Sequence, residues 1–224
     1  MNLVAEDTGA GTTQRSARTA EERGNLYGFL AAVYRAEPTV ELLRQLKETV
    51  FLDALSSAGV SLDGDILGSP ETQLAEDLAI EYTRLFLGPG KHVSPHGSAH
   101  MPGEDGLLWR DSTVAAKTFM ESLGVDLDSE YSGLPDHISV ELEFMQKLAQ
   151  AEARAWHTGD RARAMSYRSI EKEFLDNHLS RWVPVFCDKV GEQAAYSFYR
   201  EMAKLLDGFI ATDKEELARS SQGK

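Results

Sequence analysis

Cysteine is almost missing from this chain. Its one copy, Cys187, excludes an internal disulfide framework, a CxxC zinc ribbon and a multi-cysteine iron–sulfur site. The surrounding WVPVFC is apolar, which suits a buried structural thiol better than a nucleophile. Long hydrophobic runs are missing too: no stretch approaches the ~18 continuous apolar residues of a membrane span. The opening MNLVAEDTGAGTTQRSART lacks the apolar core of a signal peptide, so a soluble, cytoplasmic protein is expected. Also absent are a G-x-S-x-G elbow, HExxH, a Glu-x-x-His di-iron pair and an internal repeat.

Positive charge is in short supply. With 36 acidic against 23 basic residues the formal charge is −13, which repels nucleic-acid phosphate and anionic lipid and favours basic partners. No nucleic-acid partner is expected. An acidic surplus also serves plain solubility.

Period-two alternation never persists beyond a few residues, whereas helical spacing recurs throughout. Residues 1–18 and 213–224 are expected to be a disordered tail and a partly frayed end around one helical domain, 19–212. TAEE at Thr19 offers a capping box ahead of Leu26, Phe29, Leu30, Val33 and Tyr34. Pro38 opens a helix with Leu42, Leu43, Leu46, Val50 and Leu55 on its apolar side, and Ser69-Pro70 opens one carrying Leu74, Leu78, Tyr82, Leu85 and Phe86. That helix must stop at Gly88-Pro89. Asp111 caps a helix ended by Gly124, Pro135 starts a long one, and the helix after HTGD is bent or ended by Pro184. A last helix covers about 192–210. The expected fold is all-α, with seven or eight helices in one domain.

The stretch LFLGPGKHVSPHGSAHMPGEDG holds His92, His96 and His100 at four-residue intervals. On one helix they could share a face and bind zinc, but Pro95, Pro102 and four glycines forbid a continuous helix. GPGKHVS fails as a phosphate loop because the spacing is wrong and no strand precedes it. Asp136-His137 at a helix start could be an acid/base pair; equally, Asp136 could complement the helix dipole and His137 could be a packing residue.

Taken together, EYTRLFLGPG from Glu81, PHGSAH from Pro95, GLPDHISVELEFM from Gly133 and FLDNHLSRWVPVF from Phe174 resemble the TorD/DmsD family of redox-enzyme maturation chaperones, in wording and in order. The likeness runs from about Tyr27 to the last helix. It implies an all-helical cytoplasmic chaperone, not an enzyme, that binds the twin-arginine signal peptide and the apo form of a molybdenum-cofactor oxidoreductase of the dimethyl-sulfoxide-reductase type. Carried over by position, the family's peptide-binding pair falls on Asp136 and His137, and its loop on Gly88, Pro89, Pro95, Gly97 and Ser98. Two places usually aromatic in the family hold His96 and His100. Guanine nucleotide or molybdenum cofactor is implied by the resemblance only; the residues themselves point to no cofactor. A monomer or a helix-swapped dimer fits the resemblance, with 124–134 as the hinge.

Such a receptor needs carboxylates beside an apolar groove, since the peptide offers two guanidinium groups and then an apolar stretch. Asp136 and Glu81 are the candidate carboxylates. Leu85, Phe86 and Tyr27 are candidate groove residues, with ordinary core packing as their alternative. The alternative function is a metal-dependent enzyme using the His92/His96/His100 loop.

Overall fold

The computed structural model describes residues 5–101, 103, 110–122 and 134–221. Its helices are α1 (Ala5–Arg35), α2 (Val40–Leu46), α3 (Thr49–Ser57), α4 (Gly64–Gly68), α5 (Glu71–Tyr82), α6 (Asp111–Ser122), α7 (Ile138–His157), α8 (Arg161–Phe174), α9 (Ser180–Gln193) and α10 (Ser197–Ser221). Among the described residues there is no strand, only one isolated antiparallel bridge between His96 and His137. The all-α expectation stands. The segments outnumber the expected seven or eight partly because the Pro38 helix is two: Thr39 caps α2 by accepting from the Leu42 amide, and the chain breaks at Lys47-Glu48 before α3. Val50, expected inside, is exposed on α3.

Helices α1 and α7 form the spine. Ala17 and Ala20 on α1 and Ala149 and Ala153 on α7 are buried, and a side-chain carbon at Gly24 would touch Gln150 and Ala149. Small side chains let two long helices lie close. A larger apolar core joins Tyr34, Phe86, Phe186 and Tyr199 with Leu30, Leu78 and Trp182. Cys187 is buried, and burial pushes its thiol up, as the apolar setting implied.

The ends differ from the sequence expectation. Helix α1 runs back through the stretch read as a tail, with Ala17 fully buried. At the other end α10 continues past residue 212, burying Asp213 and Leu217. Asp213 belongs to a buried ionic cluster. The Arg23 guanidinium donates to Asp213 and Glu171 and, at 2.8 Å, to Glu152. Arg168 donates to Glu152 at 2.9 Å, and the Tyr27 hydroxyl donates to Asp213 at 2.6 Å. Four helices, α1, α7, α8 and α10, thus meet on one guanidinium.

This cluster has a pH signature. Burial, together with the charges of Glu152 and Asp213, outweighs Arg23 and raises the Glu171 carboxyl to about 8. The folded state therefore holds a proton that the unfolded chain releases near its ordinary value, so this stability is complete below about 4.5 and is lost as pH rises through about 8. Glu171→Gln should leave the fold intact and flatten the decline in melting temperature between pH 6 and 9. Equal decline in both proteins would exclude Glu171 as its source.

Pro184 does not end its helix; it lies within α9. The interruption falls just upstream as a π-turn, Leu175–Leu179, where the Ser180 hydroxyl donates to the Leu175 carbonyl at 2.7 Å. A second π-turn, Thr83–Leu87, carries α5 to its stop at Gly88. The helix end assigned to Gly124, and all of the 124–134 hinge except Leu134, lie outside the described residues.

Candidate functional site

Two irregular segments, 93–101 and 134–137, are stitched together where α7 begins. The Gly97 amide donates to the Asp136 carbonyl at 2.8 Å and the Ile138 amide to the Pro95 carbonyl at 2.8 Å. Proline and glycine keep each segment extended enough to pair, and His137 then caps α7: its Nδ1 accepts from the Ser139 amide at 3.2 Å.

Asp136 is buried beneath this junction. Its Oδ2 accepts from the Ser98 amide at 2.9 Å and from the Thr113 hydroxyl of α6 at 3.0 Å. Its Oδ1 is buried and has no hydrogen-bond partner among the described residues, and neither has the Ser98 hydroxyl. A buried carboxylate oxygen without a donor is costly, and Glu171 Oε1 in the ionic cluster is the other carboxylate oxygen so placed among the described residues.

The histidines serve different partners. His96 meets His137 edge to face, with ring centroids 5.0 Å apart. His100 lies parallel to Trp182 at 5.8 Å, donates from Nε2 to the Ser94 carbonyl at 2.7 Å, and accepts at Nδ1 from Lys189 at 3.1 Å. His92 is exposed and turns back to the Gly90 carbonyl. Among the described residues no group of three or more His, Cys, Asp or Glu could hold a metal. Among the described residues, His92, His96 and His100 are held by different partners and do not converge on one point.

Burial, reinforced by His96 and Arg35, lowers His137 to about 3. It folds neutral while the unfolded chain takes up a proton near 6.5, so its contribution is present above that value and is lost as pH falls toward 3. His137→Asn keeps an N-cap acceptor and should reduce the drop in melting temperature between pH 7 and pH 5. An unchanged drop would point instead to His178, which burial lowers to about 4.

Several sequence candidates belong elsewhere. Tyr27 is fully buried against Asp213 and Phe209, in the ionic cluster rather than the groove. Glu81 is committed: Arg84 grips it through Nε at 2.7 Å and Nη2 at 2.8 Å, and the Ala195 amide donates at 2.6 Å. Although burial works against its charge, those bonds hold the Glu81 carboxyl below its usual range. A second free carboxylate is therefore not available there. Leu85 and Phe86 are core residues that back the loop: the Val93 amide donates to the Leu85 carbonyl at 2.7 Å, and Phe86 stacks on Phe186. Gly88 ends the π-turn, with Pro89 exposed after it.

Ser94, His96, Ala99, Leu134 and Pro135, on the two joined segments, are the half-buried rim residues of the junction that holds Asp136. Sequence reasoning missed Ile80 and Leu87, which are 70% and 63% exposed where α5 leads into the loop. Neither lies on the apolar face marked by Leu74, Leu78, Tyr82, Leu85 and Phe86. It also missed Glu141 and Trp182, which lie under the loop and are joined by a hydrogen bond.

The family model described as nitrate reductase delta subunit matches residues 33–188, from α1 well into α9. The chain belongs to that family, the TorD family. "Chaperone protein TorD" of Vibrio vulnificus is 25% identical over 211 residues, covering 88% of this chain and 95% of the relative. The protein of that name from Aliivibrio fischeri is 26% identical over 219 residues with the same coverage. A putative redox enzyme maturation protein from Archaeoglobus fulgidus aligns in structure with a TM-score of 0.49 at 21% identity, over 84% of this chain and 93% of that one. As a TorD-family member the chain is a chaperone type rather than an enzyme. Among the described residues, no helix is long and apolar enough to cross a membrane.

Proposed function

We propose that this TorD-family protein is a cytoplasmic chaperone that binds the twin-arginine signal peptide and the apo form of a molybdenum-cofactor oxidoreductase of the dimethyl-sulfoxide-reductase type, before export. The observation that carries the reading is the Asp136 carboxylate, buried at the 93–101 and 134–137 junction with no partner for Oδ1 among the described residues. A guanidinium is the natural donor for such an oxygen, because its planar fork satisfies carboxylate lone pairs better than an ammonium does.

In this reading the rim residues Ser94, His96 and Ala99 give way as an arginine of the peptide reaches Asp136. The apolar stretch that follows lies along Ile80 and Leu87, which replace Leu85 and Phe86 as the contact surface. Opening the loop costs part of the binding energy, so moderate affinity is expected. The −13 charge speeds encounter with a basic peptide and makes that rate salt-sensitive. In this proposal the chain acts as a monomer or a helix-swapped dimer and calls on no cofactor.

Isothermal titration with a synthetic client peptide tests it. Twin-arginine peptide should bind, its twin-lysine counterpart should bind less tightly, and added salt should weaken both. No binding of any twin-arginine peptide would remove the reading.

A further inference from the structure

The loop does not rest on generic core. A side-chain carbon at Gly97 would stand 3.0 Å from the Trp182 Nε1, 3.1 Å from Cε2 and 3.3 Å from Cδ1, so the backbone of the loop lies directly against the indole. Three residues on, the His100 imidazole is parallel to the same indole, 7° from coplanar in orientation. Phe186 meets both Trp182 and His100 edge to face, at 5.7 Å in each case. Trp182 itself cannot tilt freely. Its Nε1–H donates to Glu141 Oε2 at 3.2 Å, and both residues are buried.

We infer that Trp182 is the positioning residue of the peptide-binding loop: its indole, pinned by Glu141 of α7, is the platform on which residues 97–100 are laid. The inference rests on the proposed peptide site, since it concerns how that site holds its shape. Three features support it. Gly97 opens a short 3-10 turn, Gly97–Ala99, without a left-handed backbone, so its lack of a side chain answers to the indole. His100 keeps its plane on the indole through bonds at both ring nitrogens. Glu141 is buried with its carboxyl pushed well above the usual range by burial and the Asp136 charge, against the Trp182 bond, and its Oε2 holds the indole N–H at 3.2 Å.

A change of shape in the loop therefore reaches Trp182 of α9 and, through its hydrogen bond, Glu141 of α7. The loop's own sequence shows none of this, because both supports come from other helices.

The test is a double-variant cycle in the full chain with Gly97→Ala, Trp182→Phe and the pair. The added methyl would crowd the buried indole, which must give by a few tenths of an ångström; it should lower the melting temperature and weaken twin-arginine peptide binding roughly ten-fold, as expected for coupled contacts. In the Trp182→Phe background, where Nε1 is gone, the same methyl should cost much less in both measurements. Equal cost in the two backgrounds overturns the inference. If the wild-type chain binds no peptide, the proposed function fails, and the melting cycle alone still decides whether Trp182 carries the loop. Should Trp182→Phe fail to fold, the tryptophan emission of Gly97→Ala decides: a spectrum changed from wild type supports the contact, and an unchanged spectrum overturns it.

Discussion

Arg23→Ala should destabilise the protein by about 3–5 kcal/mol, the usual cost of removing one partner from a buried ionic group. For a chain of this size that lowers the melting temperature by about 10 °C. The reason is arithmetic of charge: Arg23 is 5% exposed and contacts Asp213, Glu152 and Glu171, each essentially buried. Without it, Arg168 on Glu152 is the cation left in the cluster among the described residues. The effect should be larger at pH 8 than at pH 6, since Glu171 can shed the strain by keeping its proton at the lower value. Arg23→Lys should restore little, because an ammonium cannot present the planar fork that reaches three carboxylates. Thermal melts at the two pH values check this, and a loss below about 1 kcal/mol would mean the cluster is not a determinant of stability.

The second large effect belongs to Asp136. Asp136→Asn keeps an oxygen to accept from the Ser98 amide and the Thr113 hydroxyl, so the loop should stay in place. What it removes is charge at the orphaned oxygen. Peptide affinity should fall by roughly thirty-fold or more, the scale seen when one side of a buried, hydrogen-bonded charge pair is truncated. Asp136→Ala should also unfasten the loop, adding about 1–3 kcal/mol of destabilisation for the donors left unsatisfied. Comparing the two variants separates recognition from scaffolding. A carboxylate that merely organised the loop would show loss in alanine and none in asparagine.

Some of this was legible in the chain. Helical periodicity around Tyr34, Leu78 and Leu142 marked real core positions, and Gly88-Pro89 marked a real helix end. Asp136 and His137 stood out by the wording around them. Their environment did not, because its parts lie far off in sequence: Trp182 is 41 residues from Glu141, and Asp213 is 190 from Arg23. Local patterns report which face of a helix is apolar, not which charged side chains meet across four helices. Asp213 was read into a fraying end for that reason. The π-turns escaped for another: over five residues a slightly wider turn moves side chains too little to disturb an apolar pattern. Tyr27 and Glu81 were chosen by residue type, and each proved to be fully engaged by a partner its neighbours in sequence could not disclose.

The most direct measurement is isothermal titration of the twin-arginine peptide into wild-type protein and into Asp136→Asn, with melting temperatures recorded for both. The expected result is clear binding to the wild type, at least a thirty-fold loss in the variant, and closely matched melting temperatures. Equal affinity for both proteins, or no binding to the wild type, would contradict the assignment of Asp136 as the arginine receptor.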